Sequence, residues 1–440
     1  MAEIFKAYDV RGVYPSELNE ETAYNIGRAF VSFLNAREVL VGRDGRLSSP
    51  KLFKALARGI NDQGADVIDI GLCSTTMFYF GAAKVMASIM VTASHNPKEY
   101  NGFKFCRENA IPISGDTGIE DIKQLVVKNK FKAPPKKGKI TRKDIMEDYI
   151  NHNLSFVKTG KQFKIVVDAG NGMASYTFPK IFKRLPFILT CLYCEMDFSF
   201  PNHEPNPLNY ETLKDLQNTV VREKADLGIA LDGDADRCIL VDEKGEIVRS
   251  DFMTALVAKE ILKKEPGSKI LYDLRSSKVV PEVIEANGGI PIMCRVGHSF
   301  IKAQMREEDA VFAGELSGHF YYKDSFFTES EFITLAIILN EMTDENKSLS
   351  KLAAPLKKYF HSGEVNSKVA DKEAKMKEIK RKFKDAKQIL ELDGLSIYYN
   401  DWWFNVRPSN TEPLLRLNIE ADTKKLMEQK KEELLKLIRK

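Results

Sequence analysis

The stretch VLVGRDGRLSSPKLFKALARGINDQGADVIDIGL (residues 39–72) decides the fold class. It reads as an apolar strand over 39–44, a helix over 49–63 that begins at Ser49 and Pro50, and a second strand over 65–72. A short helix and the apolar strand ASIMV (87–91) follow. Alternating strands and helices favour a parallel or mixed sheet with helices on its faces. The stretch therefore predicts an α/β unit.

The same pattern occurs twice more along the chain. The second copy contains KIVVDAGNG (164–172), FILTCLYC (187–194) and ADLGIAL (225–231), and the third contains KILYDLRSS (269–277), IPIMCRVGHS (290–299) and DAVFAGELSGH (309–319). In each copy the third strand ends in a polar loop. Because loops at the carboxyl ends of strands bind ligands in open α/β sheets, three units can present three kinds of group to one cleft.

The C-terminal part of the chain differs from the three copies. LSIYYNDWWFNVRPSNTEPLLRLNIEA (395–421) predicts strands around a polar loop, and a helix follows with Met427, Leu434, Leu435 and Ile438 on one face. This pattern is typical of an α+β domain. FKAPPKKGKITRK (131–143) is rich in Lys, Pro and Gly and indicates a linker between the first two units. We predict domains over 1–142, 143–246, 247–358 and 359–440.

Composition excludes several classes of protein. Of 440 residues, 43% are hydrophobic and 29% charged, and no apolar stretch approaches the ~20 residues that span a bilayer. The net charge is +4, from 66 basic and 62 acidic residues. We expect a cytoplasmic protein with no membrane or nucleic-acid partner, whose charge is compatible with small anionic substrates. Its six cysteines are scattered and too few for a disulfide scaffold, so they are expected to be reduced. Cys191 and Cys194 lie three apart on a predicted strand and are expected to point to opposite faces.

The loop in VTASHNPKEYNGFK (91–104) carries a candidate nucleophile. Pro97 prevents a helix from running through the loop, so Ser94 is expected on a tight turn beside His95 and Asn96. A hydroxyl in that setting suits a nucleophile or an acceptor of a phosphoryl group. An ordinary polar turn, in which Ser and Asn cap backbone groups, explains the loop by itself at least as well.

The loop DGDADR (232–237) is a candidate metal site. Asp232, Asp234 and Asp236 supply three hard oxygen ligands of the kind that Mg²⁺ prefers. A calcium loop of the EF-hand type is the rival, but that loop needs Gly where Arg237 stands and helices where strands are predicted. Arg237 either neutralises the carboxylates or holds a phosphate.

Two further loops suit recognition of a phosphorylated sugar. Arg407, Ser409, Asn410 and Thr411 offer a guanidinium, hydroxyls and an amide, which suit a phosphate, although an ordinary turn has the same composition. Glu315, Ser317 and His319 suit sugar hydroxyls, and a solvated loop would explain them too.

Taken together, these motifs resemble the α-D-phosphohexomutase family, in particular its bacterial and archaeal phosphomannomutase/phosphoglucomutase members. The resemblance covers essentially the whole chain. The matching motifs are YDVRG (8–12), GRDGR (42–46), TASHNP with YNGFK (92–104), DAGNG (168–172), DGDADR (232–237), GHS (297–299), GELSGH (314–319) and RPSNTEP (407–413). It implies four domains around a central cleft, three related α/β units and a C-terminal domain with a fold like that of the TATA-box-binding protein.

The resemblance also implies roles for individual residues. Ser94 resembles the serine that carries the phosphoryl group, and its oxygen would complete a site for one Mg²⁺ with Asp232, Asp234 and Asp236. The further catalytic positions it implies are Arg11, Lys104, His298 and His319. The substrate-binding positions are Tyr8, His95, Arg237, Arg275, Glu315, Ser317, Arg407, Ser409, Asn410 and Thr411.

The implied reaction interconverts hexose 1-phosphate and hexose 6-phosphate, of mannose or glucose, through a 1,6-bisphosphate that also serves as activator. The implied partners are sugar phosphates, and the chain is expected as a monomer or homodimer. A phosphoglucosamine mutase, a phosphoserine-dependent sugar phosphatase and a non-catalytic sugar-phosphate sensor are the alternatives.

Two positions depart from the family pattern. Ala235 stands where many relatives have Gly, which matters only if that backbone needs a positive φ. SFFTESEF (325–332) lacks the Asp-Gly pair expected after the sugar loop, which leaves the local fold there open.

Overall fold

The computed structural model describes residues 2–132, 134–409 and 413–440, which form four units, each built on one sheet. The first sheet has the order β1-β5-β4-β2-β3-β7, with β6 paired to β5. Its strands are β1 (Val10–Val13), β2 (Glu38–Arg43), β3 (Asp66–Leu72), β4 (Ala87–Val91), β5 (Tyr100–Arg107), β6 (Ile111–Pro112) and β7 (Ile140–Arg142). Its helices are α1 (Glu20–Leu34), α2 (Ser49–Asp62), α3 (Thr75–Ala82) and α4 (Ile119–Lys128).

The second unit has the sheet order β12-β11-β10-β8-β9. Its elements are α5 (Met146–Leu154), β8 (Lys164–Asp168), α6 (Ala174–Phe182), β9 (Ile188–Leu192), α7 (Lys214–Glu223), β10 (Leu227–Leu231), β11 (Cys238–Asp242) and β12 (Ile247–Val248).

The third unit has the order β14-β13-β15-β16-β17. Its elements are α8 (Ser250–Leu262), β13 (Lys269–Asp273), α9 (Val279–Ala286), β14 (Ile290–Cys294), α10 (His298–Glu308), β15 (Phe312–Gly314), β16 (Phe320–Tyr322), β17 (Thr328–Glu329), α11 (Glu331–Asp344) and α12 (Leu349–Ala353).

The first three sheets share one topology. In each, two strands pair parallel with a central one: β3 and β4 with β2, β9 and β10 with β8, β14 and β15 with β13. The second of each pair (β4, β10 or β15) then continues into an antiparallel neighbour (β5, β11 or β16). The loops that make these three equivalent connections are the Ser94 loop, the 232–237 loop and the 315–319 loop. The predicted repeat is therefore confirmed, and it brings the three polar loops to equivalent places.

The fourth unit is a different, fully antiparallel sheet with the order β18-β23-β22-β21-β20, and β19 pairs with β23. Its elements are β18 (Phe360–His361), β19 (Val365–Lys368), α13 (Lys372–Lys382), β20 (Gln388–Leu390), β21 (Leu395–Tyr398), β22 (Trp402–Pro408), β23 (Leu414–Ala421) and α14 (Lys424–Arg439). β22 ends at Pro408, and β23 begins at Leu414. The predicted fold class, three related α/β units and an α+β unit, is confirmed.

The apolar cores explain how the units are joined. A single hydrophobic cluster runs through the first three units, from Leu40 to Leu356, whereas the fourth unit has a separate core around Trp402 and Phe404. Polar contacts of Lys278 link the third and fourth units. The backbone N–H of Lys278 donates to Glu420 (3.0 Å), and the Lys278 ammonium lies 3.2 Å from Asp422. The first three units are thus bound mainly by burial of apolar surface, which the fourth does not share.

Two predictions of local structure were wrong. The 131–143 segment is not only a linker, because its residues 140–142 form β7 and pair parallel with β3. Cys191 and Cys194 form a disulfide rather than two reduced thiols. The strand ends at Leu192 and Tyr193 adopts a left-handed φ of 52°, so the alternation of faces stops before Cys194. The other four cysteines are free, as predicted, and the structure buries all four.

The two departures from the family pattern have different outcomes. Ala235 does have a positive φ, of 55°, so its side chain costs about 1 kcal/mol that glycine would avoid. In the 325–332 segment, Ser330 caps α11 by accepting a hydrogen bond from the N–H of Ile333 (3.2 Å). The local fold is therefore held without an Asp-Gly pair. Within the described ranges, no helix is both long enough and apolar enough to cross a membrane.

Candidate active site

Ser94 lies buried where the first and second units meet. Its backbone is left-handed, with φ 50°, and its side chain is only 2% exposed. The Oγ donates to Asp232 Oδ2 (2.9 Å) and lies 3.2 Å from His95 Nδ1. A Cβ on Gly233 would fall 2.6 Å from the carbonyl oxygen of Ser94, so only glycine lets the two loops approach this closely.

The three predicted metal ligands lie together. Asp232, Asp234 and Asp236 are buried, and each contributes an oxygen within 4.8 Å of the others. Asp232 Oδ1 accepts from the backbone N–H groups of Asp236 (3.0 Å) and Arg237 (3.2 Å), which fixes the loop. Burial and the two neighbouring carboxylates raise the pKa of Asp232 well above its usual value.

Two oxygens of this triad, Asp234 Oδ1 and Asp236 Oδ1, are buried and accept no hydrogen bond from the described residues, although Asp236 Oδ1 lies 3.3 Å from His319 Nε2. Buried carboxylate oxygens of this kind need a cation or a donor to offset their desolvation. A hard divalent cation takes oxygen ligands of this type, so the residues present fit a metal such as Mg²⁺.

Lys104, on β5, already neutralises part of this charge. Its Nζ lies 2.6 Å from Asp236 Oδ2 and 3.1 Å from Asp234 Oδ2, with the side chain 7% exposed. Burial lowers the pKa of Lys104, but the two carboxylates outweigh it and raise the pKa above its usual value. The lysine is therefore charged in the metal-free site.

The three candidate histidines have different charge states. Arg237 and burial hold the pKa of His95 well below its usual value, and burial with Lys302 does the same for His298. Burial and Arg237 also lower the pKa of His319, but Asp236 and Glu315 outweigh them and raise it to about 9. At neutral pH His95 and His298 are therefore neutral and His319 is protonated.

The 315–319 loop presents its polar groups beside the metal loop. His319 connects the two, since its Nε2 lies 3.3 Å from Asp236 Oδ1 and its Nδ1 lies 3.3 Å from Glu315 Oε2. Ser317 Oγ is 2.9 Å from the same Nδ1, and Tyr321 donates to Glu315 (2.9 Å). Burial raises the pKa of Glu315, but His319 and Arg275 lower it by a larger amount. The pKa is therefore below its usual value, and Glu315 is ionised.

Three arginines converge on one carboxylate at the junction of the third and fourth units. Glu364 lies 3.1 Å from Arg416, 3.3 Å from Arg407 and 3.7 Å from Arg275. Ser409, directly after β22, is buried. The sequence predictions for Asn410 and Thr411 fall outside the described residues.

Residues near the N-terminus complete the set. Arg11 contacts Asp9 (2.7 Å) and donates to Asn96 of the Ser94 loop. Tyr8 packs against His298, with 5.8 Å between ring centroids. Burial and Asp393 of the fourth unit raise the pKa of Tyr8. The predicted residues that the structure describes thus come from all four units to one region.

Sequence reasoning missed several residues of this region. Arg46 stands in the quoted GRDGR motif, but no role was predicted for it, and it contacts the Ser94 loop directly. Thr75 donates to Asp234 (2.6 Å), and Glu329 forms a fully buried ion pair with Lys302 (2.6 Å). Glu364 carried no signal, because a lone Glu between two short strands is common on any surface.

Comparison with known proteins agrees with this architecture. Four family models match in order, described as phosphoglucomutase/phosphomannomutase alpha/beta/alpha domain I (residues 2–133), domain II (147–245), domain III (249–359) and C-terminal domain (364–437).

Two curated relatives are phosphomannomutases. One, from Methanocaldococcus jannaschii, is 45% identical over 99% of this chain and 98% of its own length. One from Escherichia coli is 41% identical over 99% of each chain.

Solved structures give the same result. A phosphoglucomutase/phosphomannomutase family protein from Burkholderia thailandensis superimposes with a TM-score of 0.93 at 33% identity, covering 99% of this chain and 97% of that one. An Aspergillus fumigatus N-acetylphosphoglucosamine mutase, solved with GlcNAc-6P and magnesium, has a TM-score of 0.66 at 13% identity over 99% and 95% of the two chains, which shows a shared fold. This chain therefore belongs to the phosphoglucomutase/phosphomannomutase family and is a mutase enzyme of that family.

Proposed function

We propose that the protein interconverts hexose 1-phosphate and hexose 6-phosphate, of mannose or glucose, through phosphorylated Ser94 and a hexose 1,6-bisphosphate. The observation that carries the proposal is the position of Ser94, whose Oγ lies 2.9 Å from Asp232 at the edge of a buried carboxylate triad. A hydroxyl buried beside metal-type ligands, lysine and arginine suits phosphoryl transfer, which depends mainly on positioning and charge stabilisation.

Asp232, Asp234 and Asp236 would hold one Mg²⁺, with an oxygen on Ser94 as a further ligand. When bound, the cation would offset the charge that develops on the phosphoryl oxygens. The buried Asp234 Oδ1, which accepts no hydrogen bond from the described residues, supports this assignment. Lys104 and Arg237 add positive charge beside the loop that carries Ser94.

In each transfer of the proposed cycle, one P–O bond breaks, another P–O bond forms, and one hydroxyl loses a proton while the other gains one. The P–O bond at phospho-Ser94 breaks while a free hydroxyl of the bound hexose monophosphate forms a new P–O bond. The hexose hydroxyl loses a proton to a base, and Ser94 Oγ regains one. The bisphosphate then reorients within the site. Its other phosphoryl group passes to Ser94 by the same steps in reverse.

His298 is the proton acceptor that the charges favour. It remains neutral at physiological pH, and its Nδ1 is buried with no hydrogen-bond partner among the described residues. Lys104 and His319 are protonated in the metal-free site and are therefore poor bases there. Neutral His95 lies against Ser94 and is better placed to contact the Ser94 proton.

The remaining predicted residues would bind the two ends of the sugar. Glu315 and Ser317 suit hydroxyl recognition, because both lie beside His319 on one loop. Arg275 and Arg407 suit the phosphate that is not being transferred, and we extend this role to Ser409, Asn410 and Thr411. A site with one set of residues that binds sugar hydroxyls and another set that binds phosphate would accept the bisphosphate in either orientation.

The test is a phosphorus NMR assay of Ser94→Ala against the parent chain with glucose, mannose and glucosamine 1-phosphates and Mg²⁺. We expect the parent to form a hexose 6-phosphate and the variant to lose about a thousandfold or more in kcat, because the nucleophile is removed. Ser88→Ala, a buried serine on the adjoining β4, is the matched control. Full activity of Ser94→Ala would disprove the proposal.

The same assay separates the alternatives. Release of inorganic phosphate in place of an isomer would identify a sugar phosphatase. A rate with glucosamine 1-phosphate well above the rates with glucose 1-phosphate and mannose 1-phosphate would identify a phosphoglucosamine mutase. We consider this alternative because the chain shares its fold with N-acetylphosphoglucosamine mutases. No turnover of any of the three would favour a sensor.

A further inference from the structure

Arg46 is the most deeply buried arginine side chain near the site, and the mechanism above does not use it. Its side chain is 0% exposed, and it lies on the loop between β2 and α2, nearly fifty residues before Ser94. Burying a guanidinium is expensive unless every donor is satisfied and the charge is paired. Asp44 pairs the charge of Arg46, and the four terminal N–H groups donate to backbone carbonyls, whereas Nε lies 3.2 Å from Asp44 Oδ2 without a hydrogen bond among the described residues.

The two terminal nitrogens of Arg46 donate to four backbone carbonyls of the Ser94 loop. Nη2 donates to the oxygens of Ser94 (2.7 Å) and Asn96 (2.7 Å). Nη1 donates to those of Pro97 (2.8 Å) and Tyr100 (3.0 Å). One planar group thus holds both sides of the turn that carries the nucleophile, and only arginine has donors arranged as such a fork.

Asp44 fixes this guanidinium from behind. Its Oδ2 lies 3.2 Å from Arg46 Nε, with both side chains fully buried. Its Oδ1 accepts from the N–H of Arg46 (3.0 Å) and from Ser49 Oγ (2.6 Å) at the start of α2. The guanidinium is therefore held by the β2–α2 loop and helix α2, both outside the Ser94 loop.

The carbonyl of Ser94 is the atom that links this arrangement to the nucleophile. It is held by Arg46 Nη2 on one side, while Gly233 of the metal loop packs against it on the other. Because Ser94 has a left-handed φ of 50°, its backbone needs such support to persist. That conformation aims the Oγ at Asp232.

We propose that Arg46 is a positioning residue for phosphoryl transfer: it locks the backbone of residues 94–100 so that the Ser94 hydroxyl faces the carboxylate triad. The inference rests on the proposed function, and it concerns the turn that presents the nucleophile rather than any group that contacts the sugar.

The first test is Arg46→Lys, which keeps the charge but cannot serve four carbonyls. We expect kcat to fall about a hundredfold, the loss that a displacement near 1 Å produces, while KM for the hexose phosphate stays within about threefold. The rate at which hexose 1,6-bisphosphate phosphorylates Ser94, followed by intact mass in a single turnover, should fall by the same factor. Arg43→Lys is the matched control, because Arg43 pairs with Asp69 and does not contact the Ser94 loop.

Two further experiments keep the proposal testable if Arg46→Lys folds poorly. Asp44→Asn leaves Arg46 in place and removes the anion behind it, so kcat should fall at least fivefold with an unchanged KM. In Arg46→Ala, guanidinium ion at concentrations that do not unfold the parent should raise kcat at least tenfold. Methylammonium should not raise it.

The outcomes separate this inference from the proposed function. A parent chain without mutase activity would remove the proposed function itself. If the parent is active, a parent-like kcat in Arg46→Lys or in Asp44→Asn, a rise in KM that accounts for the loss, or an equal effect of guanidinium and methylammonium would overturn the role of Arg46.

Discussion

Lys104 gives the sharpest prediction, because its ammonium lies against two carboxylates of the triad. The Nζ lies 2.6 Å and 3.1 Å from oxygens of Asp236 and Asp234 in a site that is almost fully buried. Replacing Lys104 by Met keeps most of the unbranched side chain and removes the charge. Three buried carboxylates then face one another without the ammonium, and His319 remains as the cation beside Asp236.

The expected loss of stability follows from the burial. Removing one partner of a buried ion pair costs about 3–5 kcal/mol. For a domain the size of the first unit, which carries Lys104, this loss corresponds to a fall of about 10 °C in the melting temperature of the metal-free protein. The affinity for Mg²⁺ should change in the opposite direction, because the ammonium no longer repels the bound ion. Two unit charges about 4 Å apart repel by about 4 kcal/mol at an effective dielectric constant near 20, so a tenfold tighter Kd is a conservative expectation.

The assay is thermal unfolding of the dephosphorylated protein with and without Mg²⁺, together with calorimetric titration of the ion. Metal should raise the melting temperature more in Lys104→Met than in the parent, because stabilisation grows with the ratio of free ion to Kd. Lys98→Met, which changes an exposed lysine of the Ser94 loop, is the control and should change neither quantity. A variant that melts within 2 °C of the parent without metal, or that binds Mg²⁺ more weakly, would refute the reasoning.

Two other predictions concern stability. Burial lowers the pKa of His361 to about 3, so the unfolded chain gains a proton below pH 6.5 that the folded chain does not. Stability is therefore fully present above pH 6.5 and is lost as the pH falls toward 3, by about 2 kcal/mol at pH 5, and His361→Gln should flatten the fall in melting temperature between pH 7 and 5. An equally steep fall in the variant would contradict this. The Cys191–Cys194 disulfide closes a loop with a sequence separation of only 3, so Cys191→Ser should cost about 2 kcal/mol at most. Intact mass after thiol alkylation without reductant checks that the bond forms, and modification of both cysteines in the native parent would show that it does not.

Much of the fold could be predicted because its signals are local. The apolar strands ASIMV and ADLGIAL lie where the sequence placed them, as β4 over 87–91 and β10 over 227–231. Each is followed by a polar loop, which allowed Ser94 and the three aspartates to be chosen before any contact was known. The disulfide could not be predicted this way, since it depends on the left-handed Tyr193 that ends the alternation.

The support behind these loops was not predictable, because each contact joins distant parts of the chain. Arg46 reaches residues 94–100, and Glu364 meets Arg275 from another unit. No periodicity or spacing indicates which carbonyl or guanidinium such a side chain will meet. The charge states of His95, His298 and His319 likewise arise from burial and from neighbours on other units.

The sequence by itself therefore determined the repeated α/β architecture and the chemical types offered by each loop, because hydrophobic periodicity and loop composition are written locally. Only the tertiary structure decided that Ser94 faces Asp232, that Lys104 neutralises the metal loop and that Arg46 holds the nucleophile's turn. These are relations between backbone and side chains far apart in the chain, and they exist only once the sheets have packed and excluded water from the space between them.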